Sequence, residues 1–210
     1  DTDRSRGLGD VYKRQLPGNW ITLRQAVEKS RNGAAWWLFN EVTPEEGLSY
    51  LTQMRFDKIV PDDYNMAASL GGFTYGVTAE EMAGAFSALE NGGVYREPDC
   101  IIRMENLAGE NIYTGRESKE VYSRQTAAVM VDVMKGVISK GTARGMGWKS
   151  RIEAAGKTGT TNNSKDGWFC GMTPYYTVTV WVGYDTPRTL SSLYGSSYPA
   201  SILSLIHISE

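Results

Sequence analysis

The sequence predicts an α+β fold, an antiparallel sheet with helices packed on it, and three observations carry that reading. Up to Ser139 apolar residues recur mainly at spacings of three and four; from Arg151 the pattern changes to short β-branched and aromatic runs. The connections between those runs are too short for parallel crossovers, so helices come first and a meander follows, in place of alternating βαβ units.

The elements follow in order. Thr22 can cap a helix that has Gln25 three residues on and Leu23, Ala26 and Val27 along one face, ending near Ser30. A second short helix is predicted over Ala34 to Glu41. A third opens at Thr43-Pro44-Glu45-Glu46, where a capping hydroxyl, a proline at the first position and two acids suit a helix N-terminus; Leu48, Leu51 and Met54 then face inward. Thr78 with Glu81 forms a capping box before Met82, Ala85, Phe86 and Leu89, and Asn91-Gly92-Gly93 stops that helix.

Val94 to Glu97, Ile101 to Glu105 and Asn111 to Tyr113 read as a small hairpin excursion. Ser123 to Ser139 is the longest helical pattern, with Met130, Val133, Met134, Val137 and Ile138 as its core face and Gly141 just beyond. The strands are Ile152 to Thr161, Trp168 to Met172 and Tyr176 to Tyr184, whose aromatic residues are expected in the sheet core.

Composition bounds the function. With 210 residues, 41% of them hydrophobic and 22% charged, the chain can bury one full core. A net charge of −2 with no like-charge block argues against a nucleic-acid partner. No stretch reaches the roughly 20 apolar residues that span a bilayer. The single histidine, His207, leaves no multi-histidine metal site, and no metal or other cofactor is expected. Cys100 and Cys170 lack metal-ligand spacing and are expected to be small buried hydrophobes.

Residues 1–15 mix charge and glycine without periodicity, and residues 203–210 form an abrupt apolar tail. Both resemble translated adapter or linker sequence, so the natural domain is expected to span 16–202.

The most specific string is Gly156-Lys157-Thr158-Gly159-Thr160-Thr161, set in a predicted strand. A phosphate-binding loop would need an earlier glycine where Arg151 stands, and a helix afterwards. On a strand, Thr158 and Thr160 share one face and Lys157 points to the other, which makes two hydroxyls and a flanking ammonium a carboxylate-binding ledge. Gly159 lets another extended backbone lie close, as in strand addition.

Lys157-Thr158-Gly159 matches the third motif of the penicillin-binding proteins and their relatives, and Ser30-Arg31-Asn32 at a helix end fits the second, a Ser-x-Asn triplet. With Gly76-Val77-Thr78, Asn91-Gly92-Gly93-Val94-Tyr95, Gly141-Thr142-Ala143 and Trp181-Val182-Gly183-Tyr184-Asp185, the chain resembles the transpeptidase domain of class A, bifunctional penicillin-binding proteins from about Leu16 to Thr189. The resemblance implies an incomplete serine β-lactamase-like fold and a serine acyltransferase that cross-links peptidoglycan stem peptides ending in D-alanyl-D-alanine. It also implies acylation by β-lactams and a membrane-anchored parent on the extracytoplasmic face of a bacterial cell. By the same resemblance Ser30, Asn32 and Lys157 are catalytic, while Thr158, Gly159 and Thr160 bind substrate.

No serine in the chain has a lysine three positions on, so the first motif of that family, which carries the nucleophile, is absent from these 210 residues. The chain is therefore expected to be an inactive fragment. A non-catalytic binding module and a β-lactam-sensing or hydrolysing serine protein share the same ledge and stay open as alternatives.

Overall fold

In a computed structural model of the chain, residues 21–146, 148 and 152–206 are described. The leader expected over 1–15 and the residues after 206 lie outside them.

Helix α1 (Leu23–Glu28) starts where Thr22 and Gln25 exchange side-chain and backbone hydrogen bonds. It closes in a tight reversal: the Ser30 N–H donates to the Val27 carbonyl and the Arg31 N–H to the Ala26 carbonyl, with Ser30 at a φ of 49°. That is the six-to-one, five-to-two closure usually built on glycine. Helix α2 (Asn32–Val42) follows at once, and Thr43 alone links it to α3 (Pro44–Gln53), its hydroxyl accepting from the Glu46 N–H.

Leu48 of α3 and Met54, which caps its C-terminus, are buried, and Met54 packs with Phe56, Ala88 and Tyr95 to join α3 to α4 (Ala79–Glu90) and β1 (Val94–Arg96). Thr78 and Glu81 form the capping box of α4. Between α3 and α4 the buried Asp63 carboxylate accepts from the Val60 N–H, the Thr74 N–H and the Thr74 hydroxyl, pinning a segment without regular strands.

After α4, Gly93 at a φ of 95° lies against the Tyr122 carbonyl, where a β-carbon would collide. Its own carbonyl accepts from the N–H groups of Val121 and Tyr122, which sets the pairing of β1 with β2 (Ser118–Glu120). The sequence placed strands over 101–105 and 111–113; the structure has one bridge there, Glu105 to Asn111, and takes its second strand from the exposed polar triplet Ser118–Glu120. A solvated edge has no alternating apolar pattern to reveal it. Cys100, expected to be buried, is exposed in this excursion, as are Ile102 and Leu107.

Helix α5 (Arg124–Ser139), capped by the Ser123 hydroxyl, buries Met134 and Val137; Met130, assigned to the core from spacing, is exposed. The meander is β3 (Ala155–Thr160), β4 (Gly167–Met172) and β5 (Thr177–Val182), antiparallel in that order. Side chains alternate across β4: Met172 meets Met134 and Ala155 on one face, and Phe169 meets Val137, Ala143, Ala200 and Leu203 on the other. The last two residues belong to α6 (Tyr198–Ile206), which packs on β4 and β5. Leu203, read from sequence as the start of the tail, is thus part of the core.

Candidate functional site

Two chain segments far apart in sequence meet at the end of α1. Lys157, halfway along β3, points to the face opposite Thr158, and its Nζ donates to Ser30 Oγ at 2.6 Å across 127 residues. A second donation, to the Thr158 carbonyl at 2.8 Å, orients the ammonium. The reversal that ends α1 turns the Ser30 side chain out of the helix, and Asn32 stands exposed as the first residue of α2.

Lys157 is only half-buried, yet loss of hydration against β4 pushes its pKa down to about 8. Its cross-strand neighbour is Cys170, whose buried thiol is pushed up to about 11 by the same loss of hydration. An ammonium with its pKa so lowered releases its proton more readily than an ordinary lysine, and while charged it donates to the serine hydroxyl.

On the other face of β3, the Thr158 and Thr142 hydroxyls are 2.6 Å apart, and the Thr160 hydroxyl accepts from the Gly195 N–H at 3.0 Å. Having accepted from the backbone, Thr160 keeps its own proton to donate outward. Thr158 is buried and Thr160 exposed. Gly159 pairs with Trp168, whose Cβ approaches the glycine closely, and Gly195 is pressed on the backbone of Gly159 and Trp168 so that no side chain fits there.

Thr142 and Gly195 are the residues that sequence reasoning missed. Thr142 lay within a triplet used only for resemblance, and Gly195 lies in a loop whose approach to β3 has no local signal. Trp168 and Trp181, expected in the sheet core, pair across β4 and β5 with ring centroids 6.2 Å apart and planes tilted by 40°, and Trp181 is exposed. A cavity of about 840 Å³ lies at the Ala155 end of β3, among Leu89, Val131, Lys135, Ala155 and Met172, and shares no residue with the Ser30–Lys157 pair. Among the described residues no three His, Cys, Asp or Glu side chains gather in a metal-binding cluster, and no helix is long and apolar enough to cross a membrane.

A family model described as the penicillin binding protein transpeptidase domain matches residues 2–206. Penicillin-binding protein 4 of Bacillus subtilis is 35% identical over 186 residues, covering 87% of this chain and 29% of its own length. Penicillin-binding protein 1F of the same organism is 37% identical over 211 residues, covering 95% of this chain and 29% of its own length. The chain therefore spans less than a third of these curated relatives. Among solved structures, penicillin-binding protein A from Mycobacterium tuberculosis, as an imipenem acyl-enzyme complex, superposes with a TM-score of 0.73 at 22% identity, covering 93% of this chain and 49% of that one. Penicillin-binding protein 1A from Haemophilus influenzae gives 0.74 at 21% identity, covering 91% and 37%. These two likenesses speak to the fold alone.

Proposed function

The chain belongs to the penicillin-binding protein transpeptidase family, and on that premise we propose that the Ser30–Lys157 cleft is part of an acyl-transfer site for peptidoglycan stem peptides ending in D-alanyl-D-alanine. The carrying observation is the 2.6 Å approach of Lys157 Nζ to Ser30 Oγ beside the edge of β3.

In the whole protein a serine of a Ser-x-x-Lys motif attacks the carbonyl between the two D-alanines, the terminal D-alanine leaves, and the acyl group passes to a neighbouring stem amine. Ser30 relays a proton to the departing amine. Lys157 supports the relay by donating a hydrogen bond to Ser30 Oγ, which leaves the hydroxyl proton free to go to the amine, and it supplies positive potential. The Asn32 amide holds the substrate amide. The terminal carboxylate lies on the ledge, taking the free proton of Thr160, with the buried Thr158 behind it; the peptide backbone runs along the outer edge of β3, since Trp168 and Gly195 already fill the space at Gly159. The Thr160 N–H serves as half of an oxyanion hole, a donor whose loss costs about 3 kcal/mol in barrier. β-Lactams enter by the same route. The parent is of the bifunctional class, anchored in the membrane and working on its extracytoplasmic face.

Two measurements test this. Lacking a Ser-x-x-Lys serine, the 210-residue chain should form no covalent adduct with a fluorescent penicillin, and a stable label would refute that assignment of the nucleophile. An N-acylated tripeptide ending in D-alanyl-D-alanine, titrated into the labelled chain, should shift the amide signals of Gly159 and Thr160, and Lys157→Met should weaken the effect. Shifts confined to other regions would overturn the site.

A further inference from the structure

Ser30 follows the end of α1 and Lys157 lies in β3, and neither element alone fixes the gap between them. A third segment touches both. Just past α5, the Thr142 N–H donates to the Glu28 carbonyl at 3.0 Å, two residues before Ser30. Its hydroxyl lies 2.6 Å from that of Thr158, the residue after Lys157.

The same segment is shaped for this approach. A β-carbon on Gly141 would overlap the Glu28 carbonyl, and one on Gly136 would overlap the Glu28 carboxylate, so the end of α1 is seated in a notch that only glycine leaves open. The Ala143 N–H, donating to the Val137 carbonyl at 3.0 Å, fixes the loop to α5. Three contacts and two stretches of chain then close a ring: Glu28 to Thr142, Thr142 to Thr158, Thr158 to Lys157 through the chain, Lys157 to Ser30, and Ser30 back to Glu28 through the chain.

We infer that Thr142 is a positioning residue for the Ser30–Lys157 pair, its backbone holding the end of α1 and its hydroxyl holding β3. The role in catalysis rests on the site proposed above; the geometric role does not. One hydroxyl of the Thr142–Thr158 pair donates to the other, and with Thr158 buried that bond has little competition from water. Release of the hydroxyl frees β3 to move off the end of α1, opens the Lys157–Ser30 contact, and admits water to the ammonium.

The test is the titration of Lys157, followed by NMR of the lysine-labelled chain. Ser30 faces the ammonium from the end of α1, and Cys170 faces it from β4 as the titratable neighbour. Thr142→Val keeps the side-chain shape and the backbone bond to Glu28 and removes only the hydroxyl. Its Lys157 midpoint should rise from about 8 by roughly one unit or more toward the ordinary value near 10.4. Thr142→Ser restores the hydroxyl and should restore the midpoint. A valine variant that melts earlier while its Lys157 midpoint stays put overturns the positioning role, whether or not the D-alanyl-D-alanine peptide binds; failure of that peptide to bind overturns only the site. Should the valine variant not fold, the unsubstituted chain still decides: the hydroxyl proton shared by Thr142 and Thr158 should exchange slowly with solvent, and fast exchange at both overturns the inference.

Discussion

Lys157 and Cys170 stand opposite each other across β3 and β4, and burial drives both away from their charged forms, the amine down to about 8 and the thiol up to about 11. Their effects on stability have opposite signs. Between pH 8 and about 10.5 the unfolded chain holds the Lys157 proton that the folded one has released, so stability rises with pH. From pH 9 upward the unfolded chain has lost the Cys170 proton that the folded one keeps, so stability falls. Urea midpoints should therefore rise from pH 8 to 9 and level off above it. Cys170→Val should extend the rise beyond pH 9, and Lys157→Met should abolish it; a flat profile in the unsubstituted chain would count against the burial of Lys157.

Ser30 occupies a left-handed position that a β-carbon disfavours by about 1 kcal/mol. Ser30→Ala and Ser30→Gly both remove the hydroxyl that Lys157 meets, so their difference isolates the backbone. The glycine variant should be the more stable of the two by about that amount in urea unfolding, with equal loss of the Lys157 contact.

Gly141→Ala should destabilise the fold by about 1–3 kcal/mol, because the atom it would strike is a backbone carbonyl that cannot rotate aside. Gly145→Ala is the control: a β-carbon there meets nothing within 4 Å, and unfolding should change little. Equal effects from the two would show that the notch around Glu28 is not rigid.

At acid pH the group to watch is Asp63. The Val60 N–H, followed by the Thr74 hydroxyl and N–H, holds its carboxyl below the usual value of 3.8. Its contribution is present above pH 3.8 and is lost as the pH falls through the lower folded value. Thr74→Val, which removes one of the three donors, should move acid unfolding to higher pH as followed by far-UV circular dichroism.

Much of the scaffold was legible because its signals are local. The Thr78–Glu81 capping box, the Thr43-Pro44 helix start and the three strands around Lys157 all lie within a few residues of the structure they specify. The motif residues Ser30 and Lys157 were legible through family resemblance, and the structure brings them together. What stayed hidden depends on partners distant in the chain. Ser118–Glu120 forms a strand because Gly93 draws Val121 and Tyr122 in, and α6 is held by the apolar surface around Phe169. Thr142 shows its significance only once Glu28 and Thr158 are both beside it.

The contact between Ser30 and Lys157 joins segments 127 residues apart, and that separation has a consequence for folding. Chains whose decisive contacts are distant in sequence pay loop-closure entropy before those contacts repay it. On a ribosome, α1 through α5 emerge first and hold apolar surface such as Met134 in waiting until β3 and β4 arrive to cover it. A chain interrupted before β3 would leave the apolar face of α5 uncovered and have no cleft at all.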